Sequence, residues 1–149
     1  MNLTDTVIIP VPRIKVWEAL NETEILRQCI PGCEEIRKNS DTEMEAKVTV
    51  KMGPVKATFT GKVTFSDMDP PNGYRISGDG KSIMGGAKGG ADVKLEEVDG
   101  GTRLTYNVDA LVTGKIASLA QRFIEPTARQ LSGQFFEKFA EIVTNEGST

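Results

Sequence analysis

Apolar and polar residues alternate with a period of two over most of the chain between residues 43 and 112. Successive side chains of a β-strand point to opposite faces, so this alternation is typical of strands with one buried and one solvated face. The clearest example is Glu43–Met52, which the turn Gly53-Pro54 joins to a second alternating run that ends near Phe65. Glycine- and proline-rich turns at 69–73 and 99–101 separate the later runs. The pattern therefore predicts consecutive hairpins in one long antiparallel sheet.

Two other stretches carry apolar residues at helical spacing. Residues 4–9 predict a first short strand, and residues 14–29 predict two short helices with a break at 21–24. Residues 115–143 predict one last helix, which at ~1.5 Å per residue is roughly 43 Å long. Pro126 removes a backbone donor and crowds the preceding turn, so we expect a kink there. The polar residues 145–149 are expected to fray.

Small residues occupy many inward positions of the predicted strands and of the helix that faces them. They are Ala46, Ala57, Gly61, Gly78, Gly80, Ala91, Ala110, Ala120, Thr127 and Ala128. Protein interiors pack at a density of roughly 0.74, so small residues on both walls indicate either very close approach or an interior pocket. A curved sheet cannot approach a straight helix along its whole length, which favours the pocket. Glycines that merely mark bulges and bends are the alternative.

An apolar ligand fits such a pocket, because almost no titratable side chain lies on the inward rows. The predicted lining combines aromatic, aliphatic and hydroxyl groups: Phe59, Phe65, Tyr74, Met84, Tyr106, Phe123, Thr127, Leu131 and Phe135. Each of these aromatic residues is also typical of an ordinary core. Met84 stands at the tip of a glycine-rich hairpin, which we expect to be mobile and suited to gate the pocket mouth. The glycine spacing there does not match a phosphate-binding loop.

Composition narrows the chemistry further. A chain of 149 residues is expected to form a single domain over residues 1–149. It contains no histidine, which excludes imidazole acid–base catalysis and the common zinc and iron sites. Two cysteines, Cys29 and Cys33, are separated by three residues, so a CxxC motif is absent and we expect no metal and no cofactor. Both are predicted to be small, buried side chains between a helix and a strand.

Charge and hydropathy suggest a compartment and exclude one class of partner. The net charge is −3 and no basic stripe is evident, which argues against nucleic acid as a partner. No apolar run approaches the roughly 18 residues that span a bilayer, and the first residues lack the positive charge of a signal peptide. We therefore expect a cytoplasmic protein without a transmembrane segment.

Four segments, in this order and spacing, resemble the CoxG family of carbon monoxide dehydrogenase components. They are Cys-Ile-Pro-Gly-Cys at 29–33 after a Trp-bearing helix, Lys-Met-Gly-Pro-Val at 51–55 with Phe-Thr-Gly at 59–61, Gly-Gly-Thr-Arg-Leu-Thr-Tyr at 100–106, and Gly-Lys-Ile-Ala at 114–117. The resemblance covers nearly the whole chain. It implies an α+β fold of the START-like, birch-pollen-allergen-like helix-grip (SRPBCC) superfamily. In that fold a curved antiparallel sheet surrounds a long C-terminal helix, and two short helices follow strand 1.

The resemblance also implies a function. Members of the superfamily commonly bind hydrophobic ligands between sheet and helix, and the family implies a non-catalytic accessory protein of a carbon monoxide dehydrogenase or another molybdenum-hydroxylase-type system. A quinone or a lipid is the implied ligand, and a molybdenum- and flavin-containing dehydrogenase is the implied partner. Some members are tied to the membrane, which leaves peripheral membrane contact open. Anchoring through a C-terminal extension is not expected for a chain that ends at Thr149. Ala120 stands where the family usually has glycine.

Two other functional classes stay open. The first is an enzyme of the cyclase or hydrolase type found elsewhere in the superfamily, and the second is a purely structural module that binds a partner protein. The lack of histidine and of inward carboxylates argues against the enzyme. A filled interior would distinguish the structural module from a ligand-binding protein.

Overall fold

One antiparallel sheet of seven strands forms the frame of the structure, a computed structural model that describes residues 1–147. The strands are β1 (Asn2–Ile9), β2 (Cys33–Lys38), β3 (Glu43–Met52), β4 (Val55–Asp69), β5 (Gly73–Ser82), β6 (Gly85–Val98) and β7 (Gly101–Val112). Their spatial order is β1-β7-β6-β5-β4-β3-β2, so each strand from β2 to β7 pairs with its neighbour in sequence. Strand β1 pairs with β7 at the opposite edge, from Asn2 beside Asp109 to Ile9 beside Thr102.

The two short helices after β1 are α1 (Arg13–Leu20) and α2 (Thr23–Cys29), which confirms the predicted pair. Strand β2 is an element to which the sequence pattern assigned no run of its own. Its side chains do not alternate, since only Cys33 and Ile36 are partly buried. A free edge strand needs only one partner, and here that partner is β3.

The C-terminal segment is not the single kinked helix that the spacing predicts. It is divided into α3 (Lys115–Ala120), a 3₁₀ turn (Gln121–Phe123) and α4 (Ile124–Gly147). Pro126 is the third residue of α4, where a backbone N–H has no partner inside the helix. Because proline cannot bond the carbonyl of Arg122 and its ring crowds that residue, the α-helix cannot extend backwards through this point. The proline thus begins a new helix. Of the predicted frayed residues, Ser148 and Thr149 lie outside the described range.

The break also changes which side of α3 faces inward. Ile116 and Ala120, one turn apart, are fully buried, whereas Leu119 is 53% exposed although the sequence placed it on the inner face. Helix α4 crosses the concave side of the sheet and packs chiefly against α2 and β1, with a smaller contact to β3. No helix within residues 1–147 is long and apolar enough to cross a bilayer.

Buried side chains form two separate clusters. The larger, which we call the packed core, joins α1, α2 and the later turns of α4 to the lower half of the sheet. Its aromatic centre includes Tyr74, whose ring lies 5.6 Å from Trp17 and 5.3 Å from Phe65. The smaller, the upper cluster, lies at the opposite end beneath α3 and consists of Met52, Val55, Ala57, Phe59, Ile116 and Ala120. Leu104 and Phe59 are buried as expected, while Val50 is only partly buried.

Candidate functional pocket

Two adjacent rows of inward-facing residues cross the sheet between the packed core and the upper cluster. Strand register places Met44, Val63, Gly78, Gly89 and Ala110 in the first row. The second row, two residues further along each strand, contains Ala46, Gly61, Gly80, Ala87 and Val112. Between them these glycine rows have almost no side chains over the centre of the sheet.

Backbone geometry requires glycine at some of these positions and not at others. A Cβ on Gly61 would lie 2.0 Å from the carbonyl oxygen of Asp79, and one on Gly89 would lie 2.2 Å from that of Asp109. Neither backbone leaves room for a side chain. A Cβ on Gly78 would meet only the Lys62 carbonyl oxygen, at 4.0 Å. Gly78 is therefore free to carry a side chain, and its absence leaves space inside the fold.

A pocket of about 340 Å³ lies between the glycine rows and α4. The sheet wall adds Val48, Val50 and Met52 from β3 and Phe59 from β4, and α4 contributes Ile124, Thr127, Ala128 and Leu131. The lining is almost wholly apolar, and the volume lies within the range of about 300–1,000 Å³ that is typical of small-molecule sites. The sequence prediction of an internal pocket walled by small residues is thus matched by the geometry.

Charged side chains next to this wall belong to the other face of the sheet. Lys62, Asp79, Lys88 and Asp109 border the pocket with their backbones, but each alternates with an inward glycine or apolar residue. On the outer face Lys62 pairs with Glu43, Nζ to Oε1, at 3.2 Å. Thr127 offers a hydroxyl on the inner wall. The arrangement suits a neutral, apolar molecule, because an unpaired charge buried here would be costly.

Three of the nine predicted ligand-binding residues, Phe59, Thr127 and Leu131, line this pocket. Four others lie in or against the packed core instead: Phe65, Tyr74, Tyr106 and Phe135. Their rings pack against one another and against α4, with the Tyr106 ring stacked 4.1 Å from that of Phe136. Burial raises the pKa of both tyrosines, so their hydroxyls stay protonated at neutral pH.

The other two predicted lining residues, Met84 and Phe123, pack against the upper cluster. The Phe123 ring lies over Gly53, only 2.6 Å from where a Cβ would stand. Met84 sits beside Ile83 at the β5–β6 turn, and its carbonyl oxygen accepts a 2.9 Å hydrogen bond from the backbone N–H of Ile116. The structure therefore places both on the far side of the upper cluster from the glycine rows, a position that sequence alternation alone does not reveal.

The valines at 48, 50 and 112 line the pocket although they were not singled out from the sequence. Each is an inward member of an alternating strand, so the alternation itself contains the signal. The prediction gave preference to aromatic residues, and in this fold most of those fill the core. Position relative to the glycine rows is what separates lining from core.

The two cysteines differ in their surroundings. Cys29 is buried in the packed core, which raises the pKa of its thiol to about 11. Cys33, predicted to be buried as well, is only partly so at the start of edge strand β2. Its pKa is also raised by burial. Within residues 1–147 no group of three histidine, cysteine, aspartate or glutamate side chains is arranged to hold a metal ion.

Comparison with known proteins adds the following findings. The family model that describes CoxG of carbon monoxide dehydrogenase matches residues 6–144. A search of curated proteins gives no match. A conserved protein from Geobacillus kaustophilus superposes with a TM-score of 0.89 at 25% identity, covering 97% of this chain and 96% of that one.

More distant structures share the fold. The Zhui aromatase/cyclase from Streptomyces sp. R1128 gives a TM-score of 0.72 at 16% identity, covering 96% of this chain and 93% of its own. Ara h 8.0201 gives 0.65 at 17% identity, covering 97% and 98%. The helix-grip fold of the birch-pollen-allergen type, predicted from the sequence, is therefore confirmed.

Proposed function

From the premise that this chain belongs to the carbon monoxide dehydrogenase CoxG family, we propose that it is a non-catalytic accessory protein that binds an apolar small molecule between its sheet and helix α4. The observation that carries the proposal is the glycine-walled pocket. Two rows of the sheet give up their side chains at a point where α4 does not fill the space. Packing the same volume with larger residues would have been the more stable solution.

The chemistry of the lining supports a neutral ligand such as a quinone or the apolar part of a lipid. Its single inward hydroxyl group, on Thr127, suits a hydrogen bond to a carbonyl or hydroxyl of such a molecule. Among the described residues no carboxylate, lysine or arginine side chain projects into the pocket by strand alternation. A general acid or base has no evident source there, which supports a carrier or docking role over catalysis.

The proposed partner is a dehydrogenase of the molybdenum-hydroxylase type, which would receive or supply the apolar molecule in the cytoplasm. The family name supports this assignment. Turnover is not part of the proposal. Purified protein is accordingly expected to leave simple esters unhydrolysed and to contain no stoichiometric metal, measured by absorbance assay and elemental analysis.

Ligand binding is tested by titrating the protein with decylubiquinone and, separately, with oleate. Calorimetry gives the affinity, and Trp17 fluorescence gives an independent reading, since Trp17 packs on Tyr74 in the adjoining core. The variant Gly78→Leu places a side chain in the open space above the glycine rows and is expected to weaken binding at least about tenfold. Leu131→Trp reduces the volume from the opposite wall and should act in the same direction.

Gly133→Ala is the matched control. Gly133 lies on α4 outside the pocket lining, and a Cβ there would meet nothing within 4 Å. Its affinity should equal that of the wild type. Binding that neither filling variant changes would move the site elsewhere, and no binding of either probe would contradict the proposal.

A further inference from the structure

Three chain segments meet at the end of the molecule that holds the upper cluster: the β3–β4 turn, the β5–β6 turn and the stretch from the end of β7 through α3. The backbone N–H of Ile116 donates to the carbonyl of Met84, and the Phe123 ring covers Gly53. These contacts make the three segments one continuous surface.

Positive charge is concentrated on this surface, which we call the basic end. Its cations are Lys51, Lys56, Lys81, Lys115 and Arg122. No aspartate or glutamate occurs within residues 46–66, 80–91 or 110–124. None of the five cations forms an ion pair with any residue in the range 1–147. Since the whole chain has a net charge of −3, the remainder of the molecule is strongly acidic.

Each of the three segments also exposes an apolar residue between or beside its cations. Ile83, at the β5–β6 turn, is completely exposed (105%) and follows Lys81 by two positions. Leu119 is 53% exposed and shares the outer side of α3 and the following turn with Lys115 and Arg122. Pro54 is exposed at the β3–β4 turn. Large apolar side chains at such positions lose nothing on folding and gain only from an external contact.

We propose that the basic end is a docking surface for a bilayer with anionic headgroups. The lysines and Arg122 would contact lipid phosphates, while Ile83 and Leu119 enter the boundary between headgroups and acyl chains. An acidic protein would satisfy the charges, but it gives no reason for a fully exposed isoleucine at the tip of a projecting turn. The acidic loops at the opposite end, which contain Asp69, Glu97 and Asp99, orient the molecule by repulsion from the same membrane.

The test is co-sedimentation with vesicles of phosphatidylcholine alone and of an equal mixture of phosphatidylcholine and phosphatidylglycerol. Wild-type protein is expected to bind the mixed vesicles and to ignore the neutral ones. Raising the salt from about 0.1 M to about 1 M, which shortens the Debye length from roughly 10 Å to 3 Å, should release most of it. The double variant Lys81→Glu with Ile83→Ser should bind at least about tenfold more weakly.

The matched control is Ile14→Ser with Lys15→Glu, on α1 at the opposite end. Ile14 is 49% exposed and Lys15 is exposed, so the control makes the same chemical change on a similarly accessible pair. It should bind mixed vesicles like the wild type. Gly78→Leu should also bind them normally, which separates this surface from the function of the pocket.

Two results would overturn the proposal. One is equal binding to neutral and mixed vesicles, or binding to neither at low salt. The other is an acidic-protein signature: polyglutamate binds as tightly as mixed vesicles, and Ile83→Ser alone leaves vesicle binding unchanged. Because every substituted residue is exposed, loss of folding does not obscure the outcome, and circular dichroism confirms it.

Discussion

The lower and upper halves of one sheet treat the space beneath them in opposite ways. In the packed core, strands β4 to β7 present Phe65, Ile76, Ala91 and Val108 in one row, and Tyr74, Val93 and Tyr106 lie below it. Two residues further up, the same four strands present Val63, Gly78, Gly89 and Ala110. Helix α4 lies over both halves as a single element.

The difference shows that the pocket is made by removing side chains and not by moving the helix. In the lower half, apolar side chains fill the distance between sheet and helix at the density of a normal interior. In the upper half the distance is left open. The predictions below test that contrast, and they run from the largest expected effect to the smallest.

Phe139→Ala is expected to lower the free energy of unfolding by about 3–5 kcal/mol, since Phe139 is fully buried in the packed core and the substitution leaves a cavity. Urea denaturation measures the effect. The comparison is Leu131→Ala on the same helix, where one side of the leucine already faces open space and the expected loss is about 1 kcal/mol. Equal losses for the two variants would show that the pocket is filled in solution.

Alkylation of the two thiols compares the packed core with the edge of the sheet. Cys29 should react with iodoacetamide at least about a hundredfold more slowly than Cys33, because reagent reaches it only when the core opens. Mass spectrometry of time points gives both rates. Equal rates would show that the core around Cys29 opens easily.

The raised pKa of Cys29 adds a dependence of stability on pH. The folded thiol ionises near pH 11 instead of 9.0, so its contribution to stability is complete below pH 9 and is lost as the pH rises toward 11. Replacing Cys29 by alanine should remove that part of the alkaline decline in urea stability. An unchanged decline would assign it to other groups.

Gly61→Ala is expected to lower the free energy of unfolding by about 2 kcal/mol, because the new methyl group would overlap the carbonyl oxygen of Asp79 at 2.0 Å. Urea denaturation again provides the measurement. A variant as stable as the wild type would show that β4 and β5 separate without cost at this position.

Gly78→Ala makes the same change in the neighbouring row and is expected to raise stability slightly, by about 0.5 kcal/mol. The methyl group enters open space, and alanine restricts the unfolded chain more than glycine does. A loss of more than about 1 kcal/mol, the size of an overpacking penalty, would contradict an open pocket above Gly78.

Much of this architecture follows from the sequence, because side-chain periodicity reports which face of an element is buried. The runs ending at Met52 and Phe65 and the helical spacing of α1 and α2 are long enough for that signal. Strand β2 is short, lies at an edge and has no buried face, so it lacks the signal. The break before Pro126 depends on whether proline interrupts a helix or begins one, and spacing is the same in both cases.

The pocket was predictable in kind but not in detail. Gly61, Gly78 and Gly80 indicated missing volume, and the register shows that they lie side by side across strands. Which aromatic side chains border that volume depends on cross-strand alignment, which hydrophobicity does not encode. Phe59 lies immediately above the glycine rows, whereas Phe65 lies immediately below them and packs into the core.

The pairing of β1 with β7 has a consequence for synthesis. All other strand pairs join neighbours in sequence and are closed by short turns, so they can form as each hairpin leaves the ribosome. Strand β1 is made first, yet its partners, Thr102 to Asp109, are made about a hundred residues later. At roughly 5–20 residues per second, the nascent strand waits several seconds with both edges open. During that interval chaperones have their clearest reason to hold this chain.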